Sequence, residues 1–168
     1  MTDSTARTLT VTWDDPMIGA NAALEMEGLE YLHAMLRGDI PRPPISVLLN
    51  FTLTHAEPGR TVFEAHPAEQ HYNPIGVVHG GYAATILDSA LGCAVMTRVP
   101  KGFAYTTVDL NVHLVRAITK ETGVITATAD VIHAGRRVAT AEARLTDAAG
   151  KLYAHATTTC MILPVNGG

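Results

Sequence analysis

The segment NPIGVVHGGYAATILD, residues 73–88, combines a glycine pair with one acidic side chain. Gly81 stands seven positions before Asp88, the only carboxylate in a long apolar stretch typical of a helix. A carboxylate in apolar surroundings is costly unless it is paired, protonated or used in chemistry. The glycines expose backbone N–H groups where the helix is expected to begin, and positive charge collects there. Attack on an activated carbonyl group requires at least hydrogen-bond donors that stabilise the oxyanion and a group, such as a carboxylate, that acts as nucleophile or base.

The spacing of these groups predicts an active site shared by two subunits. Seven residues of helix span roughly 10 Å. A carbonyl oxygen held by Gly80 or Gly81 therefore cannot also lie within about 3.5 Å of Asp88 on the same helix. Two antiparallel helices related by a two-fold axis would bring the glycines of one subunit to Asp88 of the other. We expect an obligate dimer.

The elements that position these groups follow from hydrophobic periodicity and from turn residues. A helix is expected from about His79 to Arg98, and it is apolar on nearly every face. Residues that alternate with a period of two predict strands at 47–55, 60–66, 105–117, 123–134, 137–146 and 152–163. Tight links near Gly135 and Gly150 predict an antiparallel meander. We expect a six-stranded antiparallel sheet that curls around the central helix, an α+β fold.

The chain is expected to divide into an N-terminal extension, 1–45, and a main domain, 46–164. Residues 1–13 form a loose lead-in. Asp15 followed by proline then predicts the start of one helix that ends at Gly38. Three prolines directly after it predict a linker.

Composition limits the classes of function. The chain has 168 residues, of which 47% are hydrophobic and 17% charged, as in an ordinary globular protein. Its net charge of −4 argues against a nucleic-acid partner. The longest apolar stretch is too short to span a membrane, and the N-terminus lacks the apolar core of a signal peptide. Cys93 and Cys160 are expected to be reduced core thiols of a cytoplasmic protein, with a disulfide or reactive thiol as the alternative.

Asn73, Gly76, the run His79-Gly80-Gly81 and Asp88 match the pattern N-x-x-G-x-x-H-G-G-x-x-x-x-x-x-D. With this element order, the pattern resembles the hotdog fold and, within it, the PaaI-type acyl-CoA thioesterases. The similarity extends from about Val47 to Leu163. It implies hydrolysis of acyl-CoA or aryl-CoA thioesters in a dimer or a dimer of dimers. It implies no metal and no other cofactor, because coenzyme A is part of the substrate.

The resemblance also assigns roles to individual residues. The family's catalytic acid corresponds to Asp88, and its oxyanion donor to the Gly80 backbone N–H, with Gly81 adjacent. Its supporting side chains and the hydroxyl that assists the water correspond to Asn73, His79 and Thr107. Each position also has a structural alternative: a buried capping acid, packing glycines, an Asx-turn, an N-cap and a β-forming threonine. Whether Asp88 attacks the carbonyl or activates a water is left open.

Substrate binding is assigned less directly. Arg136 and Arg137 suit a phosphate of coenzyme A, although adjacent strand residues point to opposite faces and a solvated turn is the alternative. Residues expected to line the acyl pocket are Tyr82, Ile86 and Leu87, with Met35 or Leu36 as a lid. This mixture permits phenylacetyl-like, benzoyl-like or medium-chain acyl groups.

Two other functions are compatible with the same fold. A non-catalytic acyl-CoA binding or sensing module would keep the pocket but would not need Asp88. A hydratase would need an acid and a histidine before the helix, and Glu64-Ala65-His66 is the nearest match, in a predicted strand. The histidines are scattered without ligand spacing, so we expect no metal site.

Overall fold

The computed structural model describes residues 5–165, so residues 1–4 of the predicted lead-in lie outside the described residues. Along this part of the chain, three α-helices come first, followed by two strands, a fourth α-helix and four more strands, with two short 3-10 helices in the loops. The helices are α1 (Pro16–Glu25), α2 (Gly28–Arg37), α3 (Pro44–Leu48) and α4 (Gly80–Met96). The strands are β1 (Phe51–Glu57), β2 (Arg60–Ala65), β3 (Phe103–Leu114), β4 (Ile125–Ala134), β5 (Val138–Asp147) and β6 (Leu152–Pro164).

The six strands form one antiparallel sheet in the order β1-β2-β4-β5-β6-β3. The predicted six-stranded antiparallel sheet around a central helix is confirmed. The predicted meander holds for β4, β5 and β6, which the tight links near Gly135 and Gly150 connect. It does not include β3, which pairs with β6 at the far edge of the sheet and not with β4.

The sheet packs against α4, the predicted central helix. Buried residues along α4 are Tyr82, Ala83, Ile86, Leu87, Ala90, Leu91, Gly92, Ala94, Val95 and Met96. A strip that contains Gly81, Thr85 and Asp88 keeps some exposure to solvent. Ala84, Ser89 and Cys93 are also partly exposed, and Ser89 and Cys93 line a cavity together with Asp88.

The predicted single N-terminal helix is two helices, α1 and α2. The chain is extended at Met26, which has φ −121° and ψ 155°, and it becomes helical again at Gly28. The break lets the Gly28 N–H donate to the Val99 carbonyl oxygen at 3.0 Å. A Cβ on Gly28 would lie 1.9 Å from the Met96 carbonyl oxygen, so only glycine fits this approach. The predicted ends are correct: Asp15 caps α1, and Gly38, with φ +82°, terminates α2.

The strand predicted at 47–55 begins later, at Phe51. Pro44 starts the short helix α3, since proline is favoured in the first turn of a helix. The predicted domain boundary at residue 45 falls inside α3. The helices before it share the core of the sheet, because the fully buried Leu32 of α2 belongs to the same hydrophobic cluster as Phe51 of β1. None of the helices within residues 5–165 is long and apolar enough to cross a membrane.

Candidate active site

Asp88 of α4 lies beside Thr107 of β3. The Thr107 hydroxyl donates a hydrogen bond to Asp88 Oδ1 at 3.1 Å. The pairing of β3 with β6 shifts register between Thr107 and Asp109, so Val108 forms a bulge directly after Thr107. Bulges bend a strand and redirect its side chains. Asp88 is half-buried, not sealed in the core, and opens into a cavity.

This cavity has a volume of about 320 Å³. One wall is formed by α4 and β3 and includes Asp88, Cys93 and Tyr105. The other walls come from α2, from the segment leading into α3, and from β1 and β2. The side chains that they contribute include Met35, Leu36, Arg42, Ile45, Phe51 and Phe63. The cavity is therefore mostly apolar, with a carboxyl group on one side.

The Cys93 thiol and the Tyr105 hydroxyl in the α4–β3 wall stay protonated at neutral pH. Burial and the nearby Asp88 raise the pKa of the Cys93 thiol to about 12. Burial is the main reason why the pKa of Tyr105 lies well above its usual value. Electrostatic repulsion by the nearby acidic groups, with Cys93 first, raises this pKa further. Burial also raises the pKa of Cys160. Both cysteines are unpaired, which agrees with the predicted reduced thiols, and a neutral Cys93 thiol is a poor nucleophile.

The start of α4 presents a free backbone donor at Gly80. His79 is the N-cap, and its Nδ1 accepts a hydrogen bond from the Gly81 N–H at 2.9 Å. The Tyr82 N–H donates to the His79 carbonyl oxygen. The Gly80 N–H has no hydrogen-bond partner within residues 5–165. Of the two glycines, Gly80 is therefore the one whose N–H is available to a ligand.

Gly80 lies in a second cavity, of about 250 Å³. Asn73 and His79 line the same cavity, together with Leu114 and the segment that follows it. Asn73 Oδ1 accepts hydrogen bonds from the N–H groups of Ile75 at 3.1 Å and Val77 at 3.3 Å. Asn73 thus shapes the loop that leads into α4, as an Asx-turn does.

The two cavities divide the predicted site. Asn73, His79 and Gly80 lie together in one, and Asp88 and Thr107 lie together in the other. Eight residues of helix separate Gly80 from Asp88, a rise of about 12 Å. Within one chain, the free donor and the carboxylate do not meet on one carbonyl group.

The residues predicted to bind substrate have other positions. Ile86 and Leu87 are fully buried in the core, so the prediction that they line the acyl pocket is corrected: their side chains pack inside the sheet. Tyr82 is also buried; it stacks on His71, with ring centroids 4.3 Å apart, near the start of α4. Met35 and Leu36 do line the cavity beside Asp88.

Arg136 and Arg137 are exposed in the turn between β4 and β5. Neither has a carboxylate partner within residues 5–165. In the same part of the chain, no three His, Cys, Asp or Glu side chains are grouped so that they could hold a metal ion.

Tyr105 and Arg42 were not among the predicted site residues. Tyr105 could have been found, because it lies two residues from Thr107 and therefore on the same face of the strand. Arg42 stands among prolines in a predicted linker, and no periodicity indicates which way such a segment faces.

Comparison with known proteins decides the family. The family model described as "Thioesterase superfamily" matches residues 75–154. Acyl-coenzyme A thioesterase 13 of Homo sapiens is 36% identical over 110 residues, which are 64% of this chain and 76% of that protein.

The chain belongs to the thioesterase superfamily. It is a thioester hydrolase with the hotdog fold, and the resemblance to the PaaI type is confirmed.

Solved structures agree with this placement of the thioesterase. A phenylacetic acid degradation-related protein from Ralstonia eutropha JMP134 superposes with a TM-score of 0.71 and 28% identity, covering 78% of this chain and 98% of that one. A thioesterase family protein from Silicibacter pomeroyi has a TM-score of 0.70 and 25% identity, covering 79% of this chain and 98% of that one.

Proposed function

We propose that this thioesterase hydrolyses acyl-CoA or aryl-CoA thioesters to the free acid and coenzyme A, at two sites shared between the subunits of a dimer. One observation carries the proposal. The free Gly80 N–H and the Thr107-bonded Asp88 of one chain open into separate cavities. A two-fold axis between antiparallel α4 helices would join each half-site to its complement.

In this mechanism the Gly80 N–H holds the thioester oxygen and stabilises the oxyanion that forms on it. Asp88 of the partner subunit acts on the carbonyl carbon by one of two routes. As a base, it takes a proton from a water that adds to the carbon. As a nucleophile, it adds directly, and water then hydrolyses the anhydride. Both routes expel the coenzyme A thiolate, which leaves readily because a thiol has a pKa near about 8.5.

Thr107 and His79 position these groups. Because the Thr107 hydroxyl donates to Asp88 Oδ1, it orients the carboxylate and leaves Oδ2 for the water or the substrate. Because His79 Nδ1 accepts from the Gly81 N–H, it holds the first turn of α4 and keeps Gly80 as the free donor. Asn73 keeps the preceding loop in place.

The edge of the sheet supports the proposed dimer. β3 pairs with β6 on one side, and its other side has no strand partner within the described chain. Val108 and Leu114 on this strand are 53% and 58% exposed. A long edge strand with exposed apolar side chains is a natural pairing surface for a second copy. A dimer is the smallest assembly that completes the sites, and pairing of dimers is compatible with it.

The acyl group is assigned to the cavity beside Asp88, and the coenzyme A phosphates to the turn between β4 and β5. Thr107 is in register with Cys160 on β6, and Cys160 with Ala139 on β5. Arg137 lies two residues before Ala139, near the same row of the sheet. Arg136 or Arg137 can therefore meet the phosphate end of a substrate whose thioester lies near Asp88.

Replacing Asp88 with asparagine tests the proposal. We expect Asp88→Asn to lower kcat for thioester hydrolysis by about 10²- to 10⁴-fold, because the amide can neither attack nor take a proton. Released coenzyme A is measured with a thiol dye across a panel of acyl-CoA and aryl-CoA substrates. Glu142→Gln, which removes a similar charge from an exposed position on β5, should keep the wild-type rate. Near-normal turnover by Asp88→Asn would refute the mechanism, and no hydrolysis by the wild type would favour a sensing module.

A further inference from the structure

The cavity beside Asp88 has one cationic residue in its wall, Arg42. Among the described residues that line this cavity, Arg42 is the only basic side chain and Asp88 the only acidic one. A pocket that served only apolar acyl chains would have no use for a guanidinium group. Arg42 is exposed to solvent, and a hydrocarbon chain laid over its charge would remove water from it without compensation, which costs free energy.

Arg42 is also free to bind a ligand. It has no hydrogen bond or ion pair within residues 5–165. The nearby Arg37, by contrast, contacts Asp39 at 2.8 Å, and Arg7 contacts Glu69 at 3.3 Å. A guanidinium group without a carboxylate partner presents two parallel donors, which match the two oxygens of a carboxylate.

The backbone around Arg42 is held in place before any ligand binds. Pro41 and Pro43 flank it, and each proline fixes its own φ angle. The Ser46 hydroxyl and N–H both donate to the Pro43 carbonyl oxygen, at 2.9 and 3.0 Å, which fastens this segment to the start of α3. A segment that is already ordered loses less backbone entropy when its side chain binds a ligand.

The cavity that Arg42 shares with Asp88 favours the acyl group as the source of the anion. In an extended coenzyme A arm, about a dozen single bonds separate the thioester sulfur from the first phosphate, a reach of roughly 15 Å. Arg42 and Asp88 line the same cavity of about 320 Å³, a volume that suits an acyl group but not the folded arm as well. A negative group on the acyl chain itself would reach Arg42 directly.

We infer that Arg42 binds a carboxylate at the far end of the acyl group, so that the enzyme acts on thioesters of dicarboxylic acids. This inference rests on the proposed thioesterase function. Phe51 and Phe63, whose ring centroids lie 6.0 Å apart, form an apolar middle section suited to an aryl ring or a chain of several methylenes. The acyl group must span this section, because a carboxylate left close to Asp88 would be repelled.

Matched pairs of substrates test the role of Arg42. Adipoyl-CoA is compared with hexanoyl-CoA, and 4-carboxybenzoyl-CoA with 4-methylbenzoyl-CoA, so that in each pair one terminal carboxylate replaces a methyl group. We expect the wild type to prefer the carboxylates. Arg42→Gln should lower kcat/KM for them by about 10- to 100-fold, the loss expected for one charge-assisted contact, and leave the methyl partners nearly unchanged. Arg37→Gln, whose side chain does not line the cavity, is the matched control.

Pantetheine thioesters of the same acids lack the nucleotide phosphates and identify the source of the anion. If Arg42 binds the acyl carboxylate, Arg42→Gln produces the same selective loss with pantetheine as with coenzyme A. A loss that affects all four coenzyme A substrates alike and disappears with pantetheine would assign Arg42 to a phosphate and overturn the inference. Equal rates within each pair for the wild type would also overturn it while leaving the thioesterase function intact. Absence of any thioester hydrolysis would remove both proposals together.

Discussion

Gly80 and Asp88 are the two residues on which the proposed chemistry depends. His79 Nδ1 occupies the Gly81 N–H, so the first turn of α4 has one vacant donor at Gly80 within the described chain. A Cβ on Gly80 would lie 2.5 Å from Leu114 Cδ1, the tip of a flexible side chain. Space therefore restricts this position only mildly, and the role of Gly80 can be tested by removing its N–H.

The variants Gly80→Ala and Gly80→Pro separate the effect of losing the N–H from the effect of adding a side chain. Both add a Cβ next to Leu114, but only proline removes the N–H. Proline is well tolerated as the first residue of a helix, and His79, with φ −61° and ψ 135°, already has the conformation required before proline. We expect Gly80→Pro to lower kcat by about 10²- to 10³-fold and Gly80→Ala to keep most of it. Equal rates for two variants with similar melting temperatures would exclude the Gly80 N–H as the oxyanion donor.

At the scale of single residues, the sequence predicts the reacting groups but not every side chain that contacts them. The pattern from Asn73 to Asp88 could be read directly, since each residue has a fixed place relative to one helix start. An N-cap at His79 was among the structural alternatives and is present, but which N–H it accepts from depends on the side-chain rotamer and could not be predicted. Arg42 was missed for a related reason: a proline-rich linker has no periodicity that reveals which way a side chain points.

Helix α2 makes one close contact with the end of α4, in addition to its packing on β1. Gly28 approaches the Met96 carbonyl oxygen and donates its N–H to the Val99 carbonyl oxygen. This contact helps to position α2, whose other end carries Met35 and Leu36 over the cavity beside Asp88. The shape of the acyl pocket is therefore linked to a glycine far from the reacting groups.

We expect Gly28→Ala to reduce the free energy of unfolding by about 2 to 3 kcal/mol, because the new methyl group meets backbone and the helix must shift. Urea unfolding at one fixed protein concentration measures the loss. Glu27→Ala changes the exposed neighbouring position, whose side chain makes no capping hydrogen bond, and should stay within about 0.5 kcal/mol of the wild type. A Gly28→Ala protein as stable as the Glu27→Ala protein would show that α2 docks in another way.

The ends of helices and strands could be predicted well where neighbouring residues determine them. The N-cap at Asp15 and the end of α2 at Gly38 both follow from residue types and were correct. The break at Met26 and the position of β3 beside β6 follow from contacts between residues distant in sequence. Single-sequence patterns do not contain that information.

At the scale of the whole molecule, the proposed enzyme is a two-fold assembly. The open strip of α4 and the unpaired edge of β3 would both be covered by a second copy. Each Gly80 would then face Asp88 of the partner subunit, and the two sites of a dimer would each combine residues of both chains.

Mixed dimers test this arrangement most directly. Subunits with Asp88→Asn and subunits with Gly80→Pro are co-expressed with different affinity tags, and dimers that carry both tags are isolated. One site of such a dimer has both changes, and the other has an intact Gly80 and an intact Asp88 from different chains. We expect each homodimer to be nearly inactive and the mixed dimer to show about half of the wild-type kcat, since one of two sites is restored. A mixed dimer no more active than the two homodimers would contradict the shared active site.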